Sequence, residues 1–160
     1  MIDPPSLELE PHGADVFVGV SPAYPWGRIY GGLVVAQALT AATSTVDPDH
    51  HVHSLHAYFL RRGDMNAPII YEVDRARDGG SFSTRRVVAI QHGRPIFNLA
   101  ASFQQPEPGL SHQADKPEVP GPDGLKDLGE VAREHDFEDL KPDPWWTRKN
   151  PCPGRATLHG

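Results

Sequence analysis

The segment around Gly31 and Gly32 is the first place where this sequence could do chemistry. The residues that follow, LVVAQALTAATSTV, carry apolar side chains at helical spacing, so the two glycines stand at the start of a helix. A helix start offers free backbone N–H groups at the positive end of the helix dipole. One such amide, which we assign to Gly32, could stabilise an oxygen that becomes negative during a reaction by roughly 3–4 kcal/mol, with Gly31 binding beside it. The alternative is that both glycines only let the helix begin tightly against a sheet.

A second candidate group is His53, in a strand-like run over residues 51–61. A histidine titrates near neutral pH and can act as a general base. The alternative is a histidine that is hydrogen-bonded under the helix. Alternation places His53 and His56 on opposite faces of the strand, so both cannot reach one site. His50, His51 and His53 predict no metal site, because adjacent strand residues diverge and no carboxylate has ligand spacing.

Three more polar residues that could take part in binding or catalysis lie in predicted strands. Gln104 ends the last strand, where it could orient a water molecule but could not take its proton at neutral pH. Its alternative role is that of a polar residue at a strand end. Arg85 and Arg86 are neighbours that point to opposite faces, and an arginine can bind a phosphate through two hydrogen bonds. The alternative for each arginine is an ion pair with Glu72 or Asp74.

One helix and a series of strands must position these residues. The helix is predicted over 31–46 and ends before Asp47-Pro48. Strands are predicted over residues 15–20, 51–61, 69–77, 81–91 and 94–104. The sequence QHGR over 91–94 predicts a tight hairpin between the last two strands. This order of elements predicts an α+β fold in which the helix covers one face of a sheet and the last four strands form an antiparallel meander.

The composition excludes several classes of protein. The length of 160 residues fits one domain with a tail. Cys152 is the single cysteine, so the chain forms no internal disulfide and no cysteine-rich zinc site. No apolar stretch is long enough to span a membrane, and the N-terminus lacks the basic flank and apolar run of a secretory signal. The net charge of −6 argues against a nucleic-acid partner. We therefore expect a cytoplasmic protein with no cofactor and no membrane partner.

The C-terminal third of the chain has a different composition. Nine of the 17 prolines lie in residues 105–160, and the periodic pattern ends after Gln104. A short helix is predicted around 125–136. The adjacent Trp145 and Trp146 are unusual for a linker, because tryptophans usually bury surface against something. We interpret most of this segment as a linker or as a segment that wraps a partner.

Four blocks of the sequence resemble a known family. They are GRIYGGLVVAQAL (27–39), VHSLHAYFLRRGD (52–64), PIIYEVDRARDGGSFSTRRVVAIQHGRPIF (68–97) and ASFQQPEPGLSHQ (101–113). In this order and with these gaps, they resemble the first half of the acyl-CoA thioesterase II family. The resemblance implies the hotdog fold, a long helix wrapped by a curved antiparallel sheet. The domains are then a 1–13 N-terminal extension, a 14–105 hotdog domain and a 106–160 Pro-rich acidic tail or linker.

The resemblance also implies a division of labour between two hotdog units that pair side by side and join their sheets. In the family, the Asp, Thr and Gln that orient and activate the attacking water belong to the second unit, and no residue of this chain matches those motifs. His53 matches a histidine of the family's VHS-type block. Gln104 lies where the second unit places its catalytic Gln, which is an analogy between halves. Leu33 stands where the family usually has Gln.

Three interpretations of the chain remain open at this point. It is a one-unit thioesterase that works as a homodimer or a higher hotdog oligomer, a half-enzyme that needs a partner with the second unit, or a fragment with little activity. The expected function is hydrolysis of fatty acyl-CoA to free acid and coenzyme A. The alternative is a non-catalytic hotdog subunit that binds acyl-CoA or a partner. A hotdog dehydratase would need an Asp–His pair in its own motif, and the chain has none.

Overall fold

The computed structural model describes residues 6–121, 123–126, 130–131 and 134–135. Residues 1–109 form one compact unit and residues 110–160 form a second. The first unit contains six strands and one helix. They are β1 (Glu10–Pro11), β2 (Val16–Gly19), α1 (Gly31–Thr43), β3 (His51–Phe59), β4 (Ile69–Asp78), β5 (Phe82–Gln91) and β6 (Arg94–Gln104).

The described part of the second unit contains short local structure. Glu130, Val131 and Glu134 are helical, within the short helix predicted around 125–136. Lys126 Nζ lies 2.5 Å from a carboxylate oxygen of Glu134. The paired tryptophans of the sequence analysis and Cys152 lie outside the described residues.

All six strands form one antiparallel sheet in the order β1-β2-β4-β5-β6-β3. The predicted meander is right for β4, β5 and β6 and wrong for β3, which pairs with β6 at the far edge of the sheet. β2 takes the place beside β4 instead. The connection over 60–68 can span up to about 30 Å when extended, whereas three strand spacings of about 4.8 Å need only about 15 Å. The chain can therefore cross the sheet before β4 begins.

Helix α1 covers one face of this sheet, as the pattern predicts. Its buried residues are Leu33, Val34, Gln37, Ala38, Ala41 and Ala42. They pack on the inward side chains of the central strands, which include Tyr71, Val87, Phe97, Leu99 and Phe103. The many alanines let the helix lie close to the sheet. The helix ends at Thr43 rather than near residue 46, because the hydroxyl and the amide of Thr45 both bond to the carbonyl of Ala42.

Two buried glutamines tie surface segments to this core. Gln37 donates to the carbonyls of Ser6 and Val20 and accepts from the Tyr71 hydroxyl at 2.8 Å. Burial raises the pKa of Tyr71. Gln91 donates to the carbonyls of Asp64 and Ala67 and thereby fixes the 60–68 connection. Both contacts lie at the same end of the sheet, because Tyr71 pairs with Ala89, two residues before Gln91.

The turn between β5 and β6 confirms the predicted hairpin. His92 and Gly93 both have positive φ values, 50° and 68°. Two successive positive φ values are the geometry of a type I′ turn, which matches the twist of the flanking strands. Gln91 pairs with Arg94 across the turn.

Candidate functional site

The start of α1 is open, as a binding site for a negative oxygen requires. Tyr30 is the N-cap and makes no side-chain capping bond, and the first turn contains no acidic residue. A Cβ on Gly31 would lie 3.1 Å from Cζ of Phe59, and one on Gly32 would lie 2.5 Å from Cε1 of Tyr30. Glycine therefore fits between two aromatic rings here. These short distances also agree with the alternative, in which the two glycines are needed only for close packing.

A cavity of about 420 Å³ opens beside this helix start. Its apolar wall combines Ile29, Val34, Phe59, Ile96 and Phe97 with the backbone of Gly31. Its volume falls in the range of small-molecule sites, about 300–1,000 Å³. The cavity is thus formed where the helix starts and β3 ends.

Three arginines that the sequence pattern did not indicate as binding residues also line this cavity. They are Arg28, Arg61 and Arg62. All three are exposed, and the Nη1 atom of Arg61 donates to the carbonyl of Pro95 at 2.6 Å. The sequence does contain a signal for this basic cluster, because Arg61 and Arg62 stand next to each other just after β3. That end of β3 lies beside the helix start.

His53 lies on the face of the sheet opposite to the helix, so the alternative in which it is hydrogen-bonded under the helix is wrong. Its Nε2 atom is 2.9 Å from Oγ of Ser102, and its ring packs edge-on against Phe82 at 6.0 Å. The cause is a β-bulge between Val52 and Ser54, which adds one residue to the strand.

The same bulge overturns the prediction that His53 and His56 occupy opposite faces. His56 pairs with Ala100, on the face that also carries Ser102. The two histidines therefore share the outer face.

Gln104 lies at the end of the sheet away from the cavity. It pairs with His51 at the start of β3, whereas Phe59 at the cavity pairs with Phe97. The rise of about 3.4 Å per residue puts these two positions roughly 24 Å apart along β6. Within one chain, Gly32, His53 and Gln104 therefore do not form one site.

Arg85 is a buried structural residue, so its predicted role in binding phosphate is not available in this fold. Its side chain is 1% exposed. Its Nε and Nη2 atoms donate to the hydroxyl and carbonyl of Thr45, each at 2.8 Å, and Nη2 also bonds to Asp78 at 2.5 Å. Its Nη1 atom donates to the carbonyls of Arg77 and Thr84. Every N–H group of the guanidinium is used, which pins the C-terminal end of α1 to the β4–β5 hairpin.

Arg86 points away from the helix, as the alternation predicts. It pairs with Ala100 on β6 and with Asp74 on β4 and is exposed. Its register partner Asp74 is one of the two acids that the alternative reading names. Arg86 does not line the cavity at the helix start.

A second, larger cavity of about 630 Å³ lies at the C-terminal end of α1. It is lined by charges of both signs, among them Asp47, Arg75 and Asp78. The hydrogen bond from Arg85 holds the pKa of the Asp78 carboxyl below its usual value. Within the described ranges, no group of three potential ligand residues could hold a metal ion. None of the helices in the described part of the chain is long and apolar enough to cross a membrane.

Comparison with known proteins connects this architecture to a family. Residues 20–104 match the family described as acyl-CoA thioesterase N-terminal domain. Human acyl-coenzyme A thioesterase 8 is 51% identical over 122 residues, which are 76% of this chain and 38% of that protein. The chain thus spans less than half the length of this curated relative.

In solved structures, too, this chain matches about half of a longer protein. The acyl-CoA thioesterase II TesB2 from Mycobacterium marinum superimposes with a TM-score of 0.69 at 47% identity, over 80% of this chain and 48% of that one. A hotdog-fold protein from Alicyclobacillus acidocaldarius superimposes with a TM-score of 0.68 at 25% identity, over 76% and 47% of the two chains. The predicted hotdog fold is confirmed.

Proposed function

Because this chain belongs to the acyl-CoA thioesterase N-terminal domain family, we propose that it forms half of a site that hydrolyses fatty acyl-CoA to free acid and coenzyme A. The observation that carries the proposal is the open start of α1 beside the apolar cavity. The acyl chain lies along the cavity wall. The thioester carbonyl lies at the first amides of the helix.

The helix start supplies electrostatic stabilisation for the reaction. Water attacks the thioester carbon, and the carbonyl oxygen becomes negative in the tetrahedral intermediate. The Gly32 amide, with Gly31 beside it, donates to that oxygen, and the intermediate collapses with loss of the coenzyme A thiolate. A donor of this kind contributes about 3–4 kcal/mol of transition-state stabilisation.

The group that activates the water comes from outside this end of the chain. Asp64, next to the cavity residue Gly63, accepts hydrogen bonds from the backbone of Asn66 and pairs with His92. These contacts hold the pKa of Asp64 below its usual value and make it a weak base. A second hotdog unit is therefore needed to complete the site.

Strand β3 is the surface through which we expect that unit to join. It is an edge strand, and its side chains Val52, Leu55 and Phe59 are 40%, 43% and 60% exposed. A long apolar edge strand presents unpaired N–H and C=O groups that favour pairing with another strand. A symmetric antiparallel pairing centred near Leu55 places Phe59 of one unit opposite His51 of the other.

This pairing brings the start of β3 in one unit beside the Phe59 end of β3 in the next, and Gln104 pairs with His51 at that start. The side chains of Gln104 and His53 stay on the outer face, because a two-fold antiparallel pairing keeps both helices on the same face of the joined sheet. The water at the helix start therefore needs an activating group from the inner face of the second unit. The second unit is another copy of this chain or a separate unit that carries its own water-activating residues. The single cysteine suits a reducing, cytoplasm-like compartment.

Release of free thiol from acyl-CoAs of increasing chain length tests this function. The association state of the 160-residue chain is measured first, and the chain is then assayed without any partner. Saturable turnover that is largely lost in Gly31→Val, whose added side chain fills the space beside Phe59 at the helix start, supports hydrolysis there. The alternative, a subunit that binds acyl-CoA without turnover, is favoured by the weak basicity of Asp64. Saturable binding with no thiol release by any assembly would establish that alternative.

A further inference from the structure

The rim of the cavity at the helix start carries a positive charge that the described acids do not balance. Arg28, Arg61 and Arg62 line it, and within the described ranges none of the three makes an ion pair with an acid. Asp64, adjacent in sequence, is already engaged by His92 at 3.2 Å. The chain as a whole has a net charge of −6. A cluster of unbalanced arginines at an apolar cavity is therefore unexpected for a solubilising surface.

Two arginines elsewhere in the chain have acidic partners, whereas Arg77, Arg86 and Arg94 form no ion pair within the described ranges. Arg75 bonds to Asp15 at 2.7 Å and Arg85 bonds to Asp78. The guanidinium of Arg61 is instead held by a neutral carbonyl, that of Pro95. This bond orients the side chain and leaves its remaining N–H groups free to donate to an anion.

We propose that Arg28, Arg61 and Arg62 bind the phosphate groups of the acyl carrier while the acyl chain occupies the apolar cavity. This inference rests on the proposed function. It also replaces the pair Arg85 and Arg86 as the phosphate-binding group. Guanidinium groups bind phosphate through paired, charge-assisted hydrogen bonds. Arg28 precedes the helix and the other two follow β3, so the cluster holds the carrier from two sides.

The chemistry of the ligand follows from this arrangement. The cavity selects an apolar tail, the helix amides select a carbonyl oxygen, and the arginine rim selects a polyanionic head. A thioester without phosphate contacts the cavity and the helix amides but makes no contact with the arginine rim. The arginines should therefore act on the affinity for phosphorylated carriers alone.

Binding of coenzyme A by isothermal calorimetry tests the rim without requiring turnover. The triple variant R28Q/R61Q/R62Q should bind coenzyme A about 10- to 100-fold more weakly than the unaltered chain, up to about fivefold for each exposed charge pair. The difference should shrink in 1 M salt, where the Debye length is about 3 Å. Arg77→Gln is the matched control, since Arg77 is exposed and lies outside this cavity. Arg86→Gln tests the earlier assignment in the same assay.

A second pair of substrates separates this inference from the proposed function. The triple variant should raise KM for acyl-CoA at least tenfold and leave KM for the matching acyl-N-acetylcysteamine, which has no phosphate, unchanged. Equal coenzyme A affinity in the unaltered chain and the triple variant overturns the inference, even if thiol release continues. Loss of coenzyme A affinity without any thiol release upholds the inference and refutes hydrolysis.

Discussion

The two ends of helix α1 carry the same residue type in opposite situations. At the C-terminal end, Arg85 is buried, and each of its N–H groups has a partner. At the N-terminal end, Arg28 and Arg62 are exposed at a cavity. An arginine whose donors are all satisfied stabilises the fold, whereas one with free donors can bind a ligand. Whether an arginine of this chain has a structural role or can bind a ligand therefore depends on its hydrogen-bond partners and not on its residue type.

The largest expected effect is on stability at the C-terminal end. Arg85→Met should lower the free energy of unfolding by about 3 kcal/mol, because it leaves buried acceptors such as the Thr45 carbonyl unpaired. Urea denaturation measures the change. Arg28→Met is the matched control at the open end and should change stability by less than about 0.5 kcal/mol. Equal losses in the two variants would remove the contrast between the ends.

The open end should respond in function and hardly in stability. Gly31→Val places a branched side chain against the Phe59 ring, which is 60% exposed and can move aside. We expect a cost in stability of at most about 1 kcal/mol together with a strong loss of thiol release or acyl-CoA binding. Denaturation and activity are measured on the same preparation.

Gly19→Ala is the matched glycine substitution. Its Cβ would lie 2.6 Å from Oε1 of the buried Gln37, which is fixed by three hydrogen bonds. It should therefore destabilise the fold by about 1–3 kcal/mol. If Gly31→Val destabilised more than Gly19→Ala, the open end would be a packing site after all.

The smallest expected effect is a pH dependence at the closed end. The Asp78 carboxyl has its pKa lowered by Arg85 below the ordinary value of 3.8. Its contribution to stability is therefore fully present above that value and is lost as the pH falls through the lower, folded-state pKa. Denaturation curves from pH 5 down to pH 2 should fall less steeply for Asp78→Asn than for the unaltered chain. Identical slopes would mean that the Arg85 bond does not depend on the carboxylate charge.

The local pattern of the sequence predicts most of the elements. β6 runs from Arg94 to Gln104 as predicted, and the glycine at 93 marks its hairpin. These features depend on neighbouring residues, for which periodicity and turn chemistry are direct signals. The position of β3 is different, because pairing with β6 is a long-range choice that its own residues do not encode.

The candidate site was less predictable than the fold. A single bulge before Ser54 moves His53 to the outer face, and the pattern of alternation gives no warning of it. Arg85 follows the alternation, but its partner Thr45 comes from the end of the helix, a contact that spans the two layers. The cavity arginines meet only because the helix start packs beside the end of β3. Each failure concerns a contact between elements that are distant in sequence.

The central claim is that the open end of α1 is half of a site, completed across the β3 edge by a second unit. The direct test is Leu55→Lys, assayed for solution mass by light scattering and for thiol release. In a symmetric pairing centred near Leu55, the two lysines face each other and repel, while Leu55→Met keeps the edge apolar. We predict that the unaltered chain and Leu55→Met associate and release thiol, and that Leu55→Lys is monomeric and inactive yet still binds coenzyme A. A monomeric Leu55→Lys chain with undiminished thiol release would contradict the account.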